Sequence, residues 1–197
     1  LLNRDIRLIY STTLLYSSLR RLLAYLAQNQ GKPFQITEAS KEAQISKVTL
    51  PRVLFAFEAL FLIRAVPVVG MSKTTYFLED QGMATWLKGR GIEGTRDLTR
   101  GIFANLRQEI QYRPELRGKV YQWRTRNGAE VPLVFETKDG VLGILPSLDR
   151  IPSSKLLASA SSFTNKFPRA KTVIAYQGQE IQLRKPTQLW MPYWLLV

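Results

Sequence analysis

The chain has 197 residues, 45% of them hydrophobic, which suffices for one large or two small domains with a buried core and excludes a disordered chain. It carries 28 Lys and Arg against 15 Asp and Glu, a formal net charge of +13, and it contains neither Cys nor His. Disulfides, thiolate chemistry, Cys–His zinc sites and Ser–His or Cys–His catalysis are therefore excluded, and a cytoplasmic setting is expected.

The positive charge is spread along the chain. Residues 1–99 hold 13 cations and 8 acids, and residues 100–197 hold 15 and 7. Both halves thus suit a polyanionic partner, nucleic acid first, with a cationic face docking an acidic neighbouring domain as the alternative. No apolar run reaches the ~18–20 residues that span a bilayer. Charges at Arg4, Asp5 and Arg7 interrupt the N-terminal apolar residues, so neither a signal peptide nor a membrane partner is expected.

In chain order, Asn3 caps a short helix running to about Tyr10. Ser11-Thr12-Thr13 offers caps for a second helix, Leu14 to about Gln30, with Leu15, Leu19, Leu22, Leu23 and Leu26 at helical spacing and Gly31 ending it. Thr37 to Gln44 reads as a short capped helix and Ile45-Ser46 as a turn. A third helix follows from Lys47 or Thr49 to Leu60, burying Val53, Leu54, Phe57 and Leu60. Pro51 is comfortable only in its first turn. This is helix-turn-helix spacing. Leu62–Val68, a Gly70–Lys73 loop and Thr74–Leu78 then give two strands and a tip, the wing of a winged helix, so residues 1–88 read as one helical domain. Gly89-Arg-Gly-Ile-Glu-Gly94 matches Gly-x-Gly-x-x-Gly. It follows the helical Met83–Leu87 rather than a strand, and a dinucleotide fingerprint needs strand–turn–helix context; residues 89–96 therefore read as a linker.

In the second half, Thr99–Gln111 is helical. Val120–Arg126, Val131–Thr137 and Val141–Leu145 are apolar runs separated by Asn127-Gly128 and Lys138-Asp139-Gly140. Both separators tolerate the positive φ of tight turns, which predicts a three-stranded meander. Ser154–Phe167 is an amphipathic helix stopped by Pro168, and Lys171–Tyr176 and Ile181–Leu183 are strands flanking Gln177-Gly178. The aromatic tail Leu189–Leu196 is expected to pack on the core, with a partner-binding strip as the alternative. The fold class is α+β: an N-terminal winged helix-turn-helix, then an α/β domain with a mixed sheet over residues 97–197.

The order and spacing of these motifs resemble the C-terminal half of a poorly characterised prokaryotic AAA-type ATPase family. The matching text is Asn3-Arg4-Asp5, Ser46 to Thr49, Leu62-Ile63-Arg64, Phe77-Leu-Glu-Asp-Gln-Gly82, and the meander with Asn127-Gly128-Ala129-Glu130-Val131-Pro132 and Ile144-Leu145-Pro146-Ser147. The resemblance implies a winged helix followed by a restriction-endonuclease-like domain of PD-(D/E)-x-K type, with an ATPase domain ahead of both. No Gly-x-x-x-x-Gly-Lys-Ser/Thr occurs here, so no P-loop is available in this chain. At the positions the resemblance makes catalytic stand Pro132 for the Asp, Leu145 for the Glu, Ser147 for the Lys and Ala104 for a helix acid. Such a nuclease holds Mg²⁺ with paired carboxylates and orients water with Lys. Leu cannot ligate a hard cation, and Ser carries no charge, so no metal, no cofactor and no catalysis are expected. Pro132 lacks a backbone donor and suits an edge or a bulge. Glu136-Thr-Lys138 repeats the Glu-x-Lys spacing but sits at a turn, where charges are usually solvated; Glu130 is the nearest upstream acid.

Two functions follow. In the first, the chain is a non-catalytic module for nucleic acid, duplex DNA above all. Lys47, Arg52 and Lys73 would neutralise phosphates, Ser46 and Thr49 would donate at a helix N-terminus, and Arg124 and Arg126 would form a second cationic strip on one strand face with Gln122. In the second, it is a protein-interaction or regulatory module docking an ATPase or other partner.

Overall fold

The structure, a computed structural model, describes residues 2–9, 14–89 and 94–197. The chain divides into two compact units: Leu1–Val66 with Thr74–Ile92, and Pro67–Lys73 with Glu93–Val197. Helices and an eight-stranded mixed sheet make it an α+β protein.

The first unit begins with α1 (Leu2–Ile9) and α2 (Tyr16–Gln28). The Ser11-Thr12-Thr13 caps expected for the second helix lie outside the described residues. Leu15 is a correction: it is the N-cap of α2, in extended backbone and exposed, rather than part of the buried stripe. Leu19, Leu22, Leu23 and Leu26 are buried at the expected spacing. Next come α3 (Ile36–Ala43), closed by Gln44 in the left-handed region, and α4 (Leu50–Ala59), with Pro51 in its first turn. Ile45, buried between α3 and α4, anchors the turn. Strands β1 (Ile63–Val69) and β2 (Lys73–Leu78) follow. Buried Gln30 accepts from the Leu78 N–H at 2.9 Å, tying the end of α2 to β2. Helix α5 (Gln81–Lys88) is capped by the Asp80 side chain, which accepts from the Met83 N–H at 2.6 Å, and ends at Gly89 with φ +65. One apolar cluster joins Ile6, Leu22, Ile45, Val53, Phe57 and Leu78.

The expected linker is shorter than its sequence range. Gly89 closes α5 and Gly94 precedes α6 (Thr95–Tyr112), which starts four residues earlier than the expected Thr99; residues 90–93 of the glycine motif lie outside the described residues. Helix α6 carries buried Leu98, Ile102 and Phe103. The meander forms as the turn chemistry predicts: β3 (Gly118–Arg124), β4 (Glu130–Thr137) and β5 (Val141–Pro146), with Gly128 at φ +84 in the first turn. Tyr121 pairs with Val134 but Trp123 with Val131, so Pro132 and Leu133 stand against the single residue Gln122. Pro132 therefore occupies a bulge, as its missing N–H demands, although β4 lies between β3 and β5 and is no edge.

Helix α7 (Ser154–Lys166) is capped by Ser153, and β6 (Ala170–Tyr176) returns parallel to β5. Tyr121, Trp123, Leu145, Phe163 and Ile174 belong to one buried cluster, in which Trp123 meets Phe163 edge-on at 5.4 Å. The aromatic tail packs on the core as expected through Trp190, and it also forms a strand that was not expected. Gln188–Pro192 is a strand, β8, inserted between β6 and β7 (Gln182–Lys185), parallel to the first and antiparallel to the second. The strand order is β2-β1-β3-β4-β5-β6-β8-β7. No helix among the described residues is long and apolar enough to cross a membrane.

Candidate nucleic-acid interface

The turn into α4 is built by its own side chains. The Ser46 hydroxyl accepts from the Thr49 N–H at 3.1 Å and donates to the Thr49 hydroxyl at 2.8 Å. Both hydroxyls thus serve the local turn first, which fixes the helix start but leaves them less free to meet a phosphate. Lys47 and Arg52 are exposed, and neither side chain has an ion-pair or hydrogen-bond partner among the described residues. Arg52 and Phe55 lie at helical spacing on α4, and Phe55 is 68% exposed; Val48, in the turn before the helix, is 79% exposed. The turn and the outward face of α4 thus expose two large apolar side chains beside the cation, neither of them among the residues expected to be buried.

Lys73 needs a correction. It was expected at a free loop tip; it is half-buried at the start of β2. The segment that bears it, Pro67–Lys73, clusters with the second unit, and Val68 and Val69 pair in parallel with Gln122 and Trp123. Gly70 at φ +93 comes so close to the Arg124 carbonyl that a Cβ there would lie 2.0 Å from its oxygen. The tip is therefore committed to a strand neighbour and is not a free finger.

The Arg124 strip is corrected as well. Arg124 is bound to Glu130 across the hairpin at 2.6 Å, and Gln122, expected beside it on an open face, is buried. Arg126 is exposed in the turn, outside β3. Arg113 is paired with Glu109 at 2.7 Å. The sequence signal for Arg124 was available, since the Asn-Gly turn places Glu130 across from it, as the Arg124↔Glu130 register confirms.

The positions the resemblance makes catalytic fall as follows. Leu145 is 1% exposed inside the apolar cluster with Val134, Phe163 and Ile174. Ser147 is buried; its N–H donates to the Ala175 carbonyl at 2.7 Å, and its hydroxyl donates to Asp149 at 3.1 Å. Beyond the last β4–β5 pair, Leu133↔Ile144, Pro132 and Leu145 come next on the two strands. Ala104 lies on α6 and is not part of the cluster around Leu145. Glu136 is held by the Tyr121 phenol, which is pushed up to about 12 by burial first and then by the Glu136 charge and hydrogen bond. Lys138 is exposed beyond the end of β4. Among the described residues no group of three or more acids, His or Cys could hold a metal.

Residues 1–91 match the model of a family described as a domain of unknown function, DUF8612. No curated protein and no solved structure matches the chain.

Proposed function

We propose that the chain is a non-catalytic nucleic-acid-binding module, with a winged helix over residues 1–88 and a nuclease-like domain without nuclease chemistry over residues 97–197. The observation that carries the reading is charge that cannot be neutralised internally. With 28 cations and 15 acids, at least 13 cations have no acid to pair with even if every acid is used. Lys47, Arg52 and Arg126 are exposed and unpaired among the described residues. A surface of this kind attracts a phosphate backbone by counterion release, with little need for base contacts.

The nuclease-like reading draws support from the meander β3–β4–β5 followed by α7 and a parallel β6. The loss of chemistry draws support from the surroundings of Leu145 and Ser147. A carboxylate in the Leu145 cluster would be desolvated without a partner, whereas Leu contributes apolar burial there. The test is twofold. The purified chain should retard duplex DNA at low salt, and it should leave plasmid, linear duplex and single strands intact in Mg²⁺ or Mn²⁺. Metal-dependent cutting abolished by Glu136→Ala would relocate an active site to Glu136 and Lys138 and end the non-catalytic reading.

A protein-interaction module is the second reading, and exposed Val48 and Phe55 favour it, because large apolar side chains on an open helix face suit a partner's apolar surface better than phosphates. An ATPase is the partner that the sequence resemblance suggests.

A further inference from the structure

The second unit contains a groove of about 990 Å³ that neither the winged-helix reading nor the nuclease-like reading uses. Its walls are the segment after β5, the turn following β6, and the β7–β8 ribbon, with Arg150, Gln182, Arg184, Lys185, Trp190 and Trp194 among its lining. It lies wholly outside the residues that match the family model. The size is at the upper end of the ~300–1,000 Å³ of small-ligand clefts, and the groove is open to solvent rather than enclosed.

Three properties of the lining converge. Three cations face one acid, Glu180, and that acid is already engaged by the Gln182 amide at 3.2 Å. Planar groups are stacked or free to stack. The Arg184 guanidinium lies over the Trp190 ring, 4.7 Å from its centroid, and Trp194 is 47% exposed, touching Tyr193 only edge-on. Unsatisfied polar atoms sit in the wall: neither the Trp190 indole N–H nor the Gln182 carbonyl oxygen has a hydrogen-bond partner among the described residues. Buried polar groups without partners are costly and mark places where a polar ligand or solvent completes the network. Cations alone would suit any polyanion. Cations interleaved with aromatic and amide side chains match nucleobases, which stack on rings and guanidinium planes and offer donors and acceptors on their edges.

We propose that this groove binds an unpaired nucleic-acid strand, with a base stacked on Trp194, another on the outer face of the Arg184 guanidinium, and phosphates against Arg150 and Lys185. Paired bases are stacked on each other and present no free face, so a duplex does not fit this lining. The proposal rests on the nucleic-acid reading above but assigns a different site and a different form of the polymer.

The test is fluorescence anisotropy with a labelled oligo(dT) and a labelled duplex of mixed sequence. Thymidine monophosphate and poly-glutamate serve as competitors, and the proteins compared are wild type, Trp194→Ala, Trp194→Phe and Arg150→Ala with Lys185→Ala. Base stacking on one aromatic side chain corresponds to a loss of about 5- to 150-fold in strand affinity for Trp194→Ala. Trp194→Phe should recover most of it, the cation pair should weaken the strand and lower its salt dependence, and duplex affinity should be unchanged in both Trp194 variants. Unchanged duplex binding also shows that the variants are folded. Strand binding insensitive to Trp194→Ala overturns the proposal, as does competition by thymidine monophosphate or poly-glutamate as strong as that by the strand. If duplex binds and Lys47→Ala with Arg52→Ala abolishes it while the strand does not bind, this proposal alone fails. If neither polymer binds at low salt, the nucleic-acid reading fails with it.

Discussion

Gly70→Ala probes the point at which the structure departs most from its sequence. Two costs add at this residue. The first is conformational: at φ +93 an L side chain costs about 1–2 kcal/mol relative to glycine. The second is steric. A Cβ at Gly70 would lie 2.0 Å from the Arg124 carbonyl oxygen, a backbone atom that cannot swing aside as a side-chain tip would. The strand must retreat, and the Val68↔Gln122 and Val69↔Trp123 pairings go with it. Their backbone hydrogen bonds contribute about 0.5–1.5 kcal/mol each, so the whole substitution should cost about 2–5 kcal/mol. Gly128→Ala is the matched control: Gly128 also has positive φ, +84, but its Cβ would meet nothing within 4 Å, so only the backbone cost applies. Urea unfolding followed by tryptophan fluorescence compares the two, with Trp123 a local reporter, and amide exchange at Val68 and Val69 should accelerate only in Gly70→Ala. A Gly70→Ala variant no less stable than Gly128→Ala, with both amides still protected, would refute the pairing of this tip with β3.

Leu145→Glu, which recreates a carboxylate where the nuclease resemblance calls for one, should destabilise by at least ~3 kcal/mol, because the charge would sit unpaired in an apolar cluster. Thermal unfolding with and without Mg²⁺ measures this, and stabilisation by Mg²⁺ would instead reveal a working metal cleft at Leu145. Tyr121 and Tyr25 are both pushed up to about 12, by burial first and then by Glu136 and Glu38 respectively, and Tyr76 is raised by burial and Glu58. The folded state thus favours the neutral phenol: this stability is fully present below pH ~10 and is lost as pH climbs through about 12. Ultraviolet phenolate absorbance of the folded chain should therefore show a late-titrating class among its eight tyrosines, and a single class near pH 10 would contradict the burial of these rings.

Local chemistry was legible in the sequence, and long-range pairing was not. Asn127-Gly128 announces its turn because both residues tolerate positive φ, which Gly128 adopts, and Pro132 announces its bulge because its missing N–H would interrupt any ladder. Val53, Leu54 and Phe57 of the α4 core stripe follow from spacing, but Leu60 is only partly buried at the helix end, and Phe55 and, in the turn before the helix, Val48 are exposed, because composition cannot say which apolar residues face inward. Leu15 shows the same limit at a helix end, where one residue of shift moves a side chain from stripe to solvent. The insertion of β8 between β6 and β7 was hidden because a terminal run of aromatics reads equally well as packing or as strand, and only its partners decide. The commitment of the β1 tip to β3 joins residues more than fifty positions apart, and nothing in either segment names the other. The groove is illegible in the sequence for the same reason: Arg150, Gln182 and Trp194 carry no signal singly, and topology alone brings them together.

In the proposed function, unneutralised charge meets a phosphate backbone through Lys47, in the turn before α4, and Arg52 on the exposed face of α4. Duplex DNA affinity measured across about 50–200 mM salt tests it most directly, for wild type beside the Lys47→Ala, Arg52→Ala double variant. Each phosphate contact contributes about 0.9 to the slope of log affinity against log salt, so the account predicts steep weakening with salt in the wild type and a slope shallower by about two in the double variant. Absence of duplex binding at the lowest salt, or a slope that the double variant leaves unchanged, would contradict it.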